Sequence, residues 1–560
     1  MKNKIVELIA ANVEGLTAAE IADLIEIPPK PELGDFAFPC FRLAKTMRKA
    51  PQMIANDIKE AIGDVDFLQE IQVQGAYLNF FVKKELFIET MVTASMADDF
   101  GSSTEGNGQT ICIDYSSPNV AKNFHVGHLR TTIIGNSLYK IYSKLGYKVV
   151  RINHLGDWGT QFGKLIVAYK AWGSEEAVKK DGVAELMKLY VKFHEEAEKN
   201  PELNDEARAW FAKMEHGDEE ALKIWQWFKD ISLIEYKRTY DLLGMDFDYY
   251  LGESFYRDKT DDVVKRLTDA NLLTESEGAK IVNLDAYDMA PCLILKNDGS
   301  SIYATRDIAA IFYRKETYNF VKCLYVTGQE QKLHFKQVFK VVELLGNEWA
   351  KDQLVHIPYG LVSLEGAKLS TRSGNIIYAE DILLEAIAKI KEIINEKNPD
   401  LPDKDETAKK IGVGAVLFND LYNQRIKDVS FKWEKLLNFD GETGPYVQYT
   451  HARCCSILKK LDGFTPSADI DYSVLTDVEA MELLKEINRF PKVASERYEP
   501  SAVARFAVDV AQAFNKFYNA CRIHVEEENV RNARATLVYI TKKTIKDAME
   551  LLGIDCPEQM

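Results

Sequence analysis

With 560 residues the chain is expected to form two to four domains, and 46% hydrophobic and 28% charged residues is ordinary for a soluble globular protein. No apolar run approaches the ~20 residues that span a bilayer, and the start, Met1-Lys2-Asn3-Lys4-Ile5-Val6-Glu7, lacks the apolar core of a secretion signal. A net charge of −16 argues against bulk nucleic-acid affinity but not against a local basic face, and eight scattered cysteines without CxxC pairs argue against a protein-bound structural metal and fit a reducing cytoplasm.

Residues 1–108 read as a small α/β domain. Residues 32–39 are a turn followed by alternating aromatics, and 41–49 are a basic helical stretch with Arg42, Lys45, Arg48 and Lys49. Residues 76–82 read as a strand carrying Asn79 and Phe80. A basic helix beside an aromatic strand suits RNA, by charge and stacking, and equally suits a solvated helix over a small core. Residues 101–108 have the composition of a linker.

The apolar, β-branched run at 110–113 predicts a strand that ends in a polar loop from Asp114, turned by Pro118-Asn119. The loop opens a helix at His125-Val126-Gly127-His128. In an open parallel sheet a ligand sits where strand C-termini meet helix N-termini. The imidazoles can donate to phosphate oxygens and Gly127 lets a flat ring approach the backbone, so the stretch reads as a nucleotide site for phosphate chemistry. Residues 147–152 predict a second buried strand ending at 153–163, and two such units in succession predict a doubly wound sheet. Residues 164 to about 245 read as a charged helical insertion.

Residues 293–296 and 301–304, joined by Asn297-Asp298-Gly299, predict a hairpin, after which Thr305-Arg306-Asp307 opens an apolar helix. Further strands are expected at 321–326 and 354–362. Each ends in polar residues, so several loops should share one face. From about 376 the pattern is helical, broken at 439–445.

His125-Val126-Gly127-His128 resembles the HIGH motif of class I aminoacyl-tRNA synthetases, and Lys368-Leu369-Ser370-Thr371-Arg372 looks like a variant of their KMSKS loop. Four further stretches narrow the resemblance to the arginyl branch: Ser116-Ser117-Pro118-Asn119-Val120-Ala121-Lys122, Gly156-Asp157-Trp158-Gly159-Thr160-Gln161-Phe162-Gly163, Tyr303-Ala304-Thr305-Arg306-Asp307 and Asp440-Gly441-Glu442-Thr443-Gly444-Pro445-Tyr446. It runs nearly end to end.

The resemblance implies a multidomain α/β protein. Residues 1–108 would contact the tRNA elbow, 109–375 would form a Rossmann-type catalytic domain with the helical insertion, 376–438 a helical connector, and 439–560 an all-α anticodon-binding bundle. The implied activity is ATP-dependent ligation of L-arginine to tRNA(Arg) through an arginyl-adenylate, releasing AMP and diphosphate. The implied enzyme is a cytoplasmic monomer that uses ATP with Mg2+ and touches no membrane.

The same resemblance assigns catalysis to His125, His128, Lys122 and Lys368, and ATP binding to Gly127, His125, His128, Lys368 and Ser370. Thr371 replaces the second lysine of KMSKS, and Lys122 sits where the family is thought to supply a substitute. Asp307, Tyr303 and Asp114 would meet the guanidinium, and Asn119 and Gln331 the α-amino end, with Ser117 nearby. On chemistry alone, a guanidinium's planar donors want a carboxylate, which Asp307 supplies, although a helix N-cap is an equal reading of that aspartate.

Tyr446, Tyr449 and Arg453 fall on one helical face, which suits a core stripe or the stacking of unpaired bases. The resemblance assigns them, with Met560, to the anticodon loop, and Asn79 and Phe80 to the elbow. Nucleotidylyl transfer to a small acceptor would also use the HxGH motif, but it leaves the terminal domains without a purpose. A non-catalytic relative would have lost the histidines or the phosphate-facing lysines, and all are present.

Overall fold

The computed structural model describes residues 1–364, 367–368, 378–461 and 463–560. The chain divides into two units, one of residues 1–100, 454–489 and 512–544, the other of 101–453, 490–511 and 545–560.

In the first unit, Phe36–Pro39 (β1), Leu68–Gln74 (β2) and Tyr77–Val82 (β3) pair antiparallel in the order β1-β3-β2. Leu78, Phe80 and Val82 alternate along β3 and share a core with Ile5 and Ile9 of helix Lys2–Ala10 and Ile54 and Ile58 of helix Pro51–Ile62. This corrects one expectation. Phe80 is wholly buried and Asn79 nearly so, in the middle strand, so neither is presented to an RNA. The exposed groups are Phe41, Arg42, Lys45, Arg48 and Lys49, around the short helix Leu43–Met47.

The second unit is built on a parallel sheet. Thr110–Asp114 (β4), Lys148–Asn153 (β5) and Tyr249–Tyr250 (β6) form one half. A meander of Leu273–Ser276 (β7), Ala279–Val282 (β8) and Cys292–Leu295 (β9) precedes the return to the sheet at Lys322–Gly328 (β10) and Leu354–Tyr359 (β11). The order is β11-β10-β4-β5-β6 with every pair parallel. Ile111, Cys112 and Ile113 are fully buried, as a strand covered on both faces requires. The order reverses beside β4, and the crevice outside the C-terminal ends of β4 and β10 is where such a sheet takes a ligand.

Five helices, from Thr160–Trp172 to Glu219–Leu243, form the insertion between β5 and β6. Beyond the sheet, Val362–Leu364 (β12) pairs with Ala367–Lys368 (β13) and, in parallel, with Val429–Phe431 (β14). The helical run expected after 376 is therefore interrupted by a strand.

Three other expectations change. The hairpin at 293–304 does not form: β9 pairs with β8, Ser301 makes only a bridge to Leu295, and Tyr303 already begins the helix Tyr303–Tyr318. Ala304, Ile308 and Ile311 are buried at helical spacing, which outweighs the short alternation before them. The strand expected at 354–362 is two strands in different sheets, because the carbonyls of Gly360 and Leu361 are taken by the Arg130 guanidinium, at 2.8 and 3.0 Å. The linker-like stretch at 101–108 is packed, with the amides of Ser103, Gly106 and Gly108 bonded to the carbonyls of residues 144–146.

Candidate active site

The first cluster starts where β4 stops. His125 is the N-cap of helix Val126–Lys144, and its Nδ1 accepts from the Gly127 amide at 3.1 Å. His128 Nδ1 accepts from the His125 amide at 3.4 Å, and the two rings stack with centroids 3.9 Å apart. Since both Nδ1 atoms accept, both protons sit on Nε2, leaving two N–H donors for an anion. Burial, then the charge of Lys122, lowers the His125 pKa. Burial, then the charges of His125 and Lys122, push His128 well below its ordinary value, so both rings act as neutral donors. Burial also lowers the Lys122 ammonium. A Cβ on Gly127 would stand 2.9 Å from His125 Cε1, so the absent side chain is what lets the ring fold back as a cap.

The loop between β4 and this helix is unusual in its backbone. Ser116, Ser117 and Ala121 all have positive φ (72°, 48° and 59°), which costs free energy unless surrounding structure holds it. One face of helix Glu219–Leu243 does so. Ser232 Oγ accepts from the Ala121 amide at 2.9 Å, and the Tyr236 hydroxyl lies 2.6 and 2.7 Å from the carbonyls of Asn119 and Lys122. The Tyr240 hydroxyl lies 2.7 Å from Ser116 Oγ and accepts from Asn153 Nδ2 at 2.9 Å. These three residues recur every fourth position, and no motif in the sequence pointed to them.

The other end of the crevice collects carboxylates. Asp307 lies in the second turn of its helix, whose N-cap position is Ile302, so the N-cap reading fails. Its Oδ2 is 2.5 Å from His334 Nε2. Asp114 is already engaged: Arg314 donates to Oδ2 at 2.7 Å and Ser117 Oγ to Oδ1 at 3.0 Å. Asp157, wholly buried, pairs with Lys229 at 2.6 Å and accepts from Ser254. Glu253 lies 3.5 Å from Arg306, and burial pushes its carboxyl up to about 7 against the pull of that guanidinium. His154 sits among them, accepting from Arg314 at 3.2 Å, with burial lowering its pKa against the charge of Asp114. It also lies within electrostatic reach of Asp307 and Asp157.

Tyr303 is exposed one turn before Asp307, with Arg306 over its ring. Gln331 is exposed beyond β10, and Asn119, also exposed, bridges Gly156. Lys368 lies in β13, its side chain outside the described residues, as are Ser370, Thr371 and Arg372. What anchors the approach to that loop is Arg130, fully buried, which donates to the carbonyls of Gly360, Leu361, Arg425 and Lys427.

Tyr446, Tyr449 and Arg453 share helix Gly444–Lys459. Tyr449 is partly exposed, with the Arg453 guanidinium 4.9 Å from its ring centroid, whereas Tyr446 is half-buried. The Met560 carbonyl accepts from Asn398 at 3.2 Å.

A paired-imidazole cap, a nearby lysine and a carboxylate cluster thus gather at the switch point of one sheet, N–H donors at one end and carboxylates at the other. Residues 91–433 match the family described as tRNA synthetases class I (R), catalytic domain. The chain belongs to the arginyl-tRNA synthetases of class I. Residues 3–82 match the Arginyl tRNA synthetase N terminal domain, and 447–560 the DALR anticodon binding domain. The Arginine--tRNA ligase of Clostridioides difficile (strain 630) is 53% identical over 553 residues, 98% of this chain and 97% of that one. That of Clostridium perfringens (strain 13 / Type A) is 54% identical over 565 residues, covering 100% of each. The solved Thermus thermophilus arginyl-tRNA synthetase has a TM-score of 0.82 at 25% identity and covers 100% of each chain. This class I aminoacyl-tRNA synthetase is thus an ATP-using ligase with a Rossmann-type catalytic domain, and among the described residues no helix is long and apolar enough to cross a membrane.

Proposed function

We propose that this synthetase joins L-arginine to tRNA(Arg) in two steps. The arginine carboxylate attacks the α-phosphorus of ATP, the bond to the leaving diphosphate breaks, and arginyl-adenylate forms. A hydroxyl of the terminal adenosine of tRNA then attacks the activated carbonyl and AMP departs. Attack on phosphorus needs positioning and charge neutralisation more than covalent help. His125 and His128 supply N–H donors and Lys122 a cation at the phosphates, with Gly127 under the adenine. Lys368 and Ser370 act on the same nucleotide, and Lys122 stands in for the lysine replaced by Thr371.

The observation that carries the amino-acid assignment is the pairing of carboxylates around His154. Asp114, Asp157 and Glu253 each have an arginine or lysine of the chain beside them, and Asp307 has an imidazole. Asp307 is therefore the carboxylate with charge to spare for a guanidinium, with Tyr303 and an edge of Asp114 completing the pocket. Asn119, Gln331 and Ser117 hold the α-amino end. Magnesium comes with the ATP phosphates; among the described residues no group of three or more His, Cys, Asp or Glu side chains is placed to hold a metal. Tyr446, Tyr449, Arg453 and Met560 meet the anticodon loop, and residues 1–108 the elbow. The enzyme acts as a cytoplasmic monomer.

The test is exchange of labelled diphosphate into ATP, with tRNA present, for each amino acid in turn. Arginine alone should drive exchange. Exchange driven by another amino acid, or by none, would contradict the reading.

A further inference from the structure

Among the carboxylates near His154, Asp307 is held differently from the rest. Its helix, Tyr303–Tyr318, packs against Lys332–Leu344, and His334 in the first turn of the latter reaches across. The contact is 2.5 Å from Nε2 to Oδ2, with the two side chains 28% and 24% exposed, so the carboxylate stays reachable from the crevice. It is the polar partner that the structure gives Asp307 among the described residues. Behind it, Phe335 stacks on His356 at 4.8 Å, and His356 bonds Thr327 Oγ1 at 2.9 Å, so the turn bearing His334 is tied to β10 and β11.

Arg314, Arg306 and Lys229 place permanent cations beside Asp114, Glu253 and Asp157. An imidazole supplies an N–H without a permanent charge. We infer that His334 is a positioning residue for amino-acid selection: its hydrogen bond fixes the Asp307 carboxylate toward the substrate cation without the permanent charge that a lysine or arginine would bring. The inference rests on the reading of Asp307 as the guanidinium partner. A lysine or arginine in its place would orient the carboxylate equally well and fill the substrate's electrostatic role.

Four variants separate the possibilities, each assayed for arginine KM, ATP KM, kcat and melting temperature. His334→Gln keeps an uncharged donor and should stay within about threefold of the parent arginine KM. His334→Leu removes the donor and should raise arginine KM roughly tenfold, with kcat and ATP KM little changed, the size of one hydrogen bond to a charged group. His334→Lys puts a permanent cation there and should raise arginine KM at least another tenfold. Equal arginine KM for the Gln and Lys variants would overturn the inference, as would a Leu variant with parental KM or one that loses only melting temperature. Asp307→Asn is the control for the underlying reading: if it leaves arginine KM unchanged, the pocket assignment itself fails, whereas raised KM there with parental His334 variants sinks the inference alone.

Discussion

Lys122 shows how much depends on one side chain's surroundings. It is a half-buried ammonium beside two stacked imidazoles that are themselves held neutral, so it supplies the fixed positive charge at the end of β4 where phosphate charge is expected. Removing it as Lys122→Ala should slow adenylate formation by about 10²-fold or more, the scale found when one preorganised charge stabiliser is deleted, while tRNA affinity stays near the parental value. Rapid-quench measurement of adenylate formation checks this, and a parental rate would mean that Lys122 does not stand in for the missing loop lysine. His125, Gly127 and His128 stood out in the sequence because two imidazole donors flank a residue without a side chain; that His125 caps its helix was not legible. Nor were Arg130 and Arg314. A lone arginine in a helical pattern looks like a solvated surface residue until four carbonyls, or a buried aspartate, are seen around it.

At the scale of elements, helix Glu219–Leu243 supports the site without contributing to its chemistry. Ser232, Tyr236 and Tyr240 hold a loop with three positive-φ residues, and a polar stripe on an amphipathic helix has no signature that separates it from an exposed face. Tyr236→Phe deletes the hydroxyl that bridges two loop carbonyls. It should cost about 1 kcal/mol of stability and slow activation roughly tenfold; an unchanged activation rate would show that the loop holds its shape without the bridge.

The Arg130 anchor gives a pH prediction. Burial raises the Asp420 carboxyl from 3.8 to about 6, opposed by Arg130 3.5 Å away. A raised acid binds more protons in the folded than in the unfolded state, so stability falls as pH rises from about 4 to about 6 and the loss persists above. Asp420→Asn removes that loss and leaves the four Arg130 bonds to carbonyls intact. Its melting temperature relative to the parent should therefore rise across this window, by an amount equivalent to about 1–3 kcal/mol. A constant difference between pH 4 and pH 8 would contradict it.

The doubly wound sheet was readable because strands and polar loops alternate along 110–163 and again along 321–375, and only a parallel sheet with loops on one edge accommodates that order. The strand break at Gly360 was not, since a distant arginine decides it. Nor was the burial of Asn79 and Phe80, because alternating aromatics look the same on a core face as on a stacking face.

For the whole molecule, the family assignment rests on three matched segments covering 3–82, 91–433 and 447–560, and the active site accounts for the middle one. The outer two have a purpose only if the substrate is a large folded RNA. Against a net charge of −16, exposed basic residues gather locally between 42 and 49. Charging of total tRNA by the purified full-length chain, with ATP and each of the twenty amino acids separately, tests the central claim most directly. Arginine alone should become acid-precipitable with the tRNA, in an amount that saturates at the tRNA(Arg) content; charging with any other amino acid, or diphosphate exchange without transfer to tRNA, would contradict it.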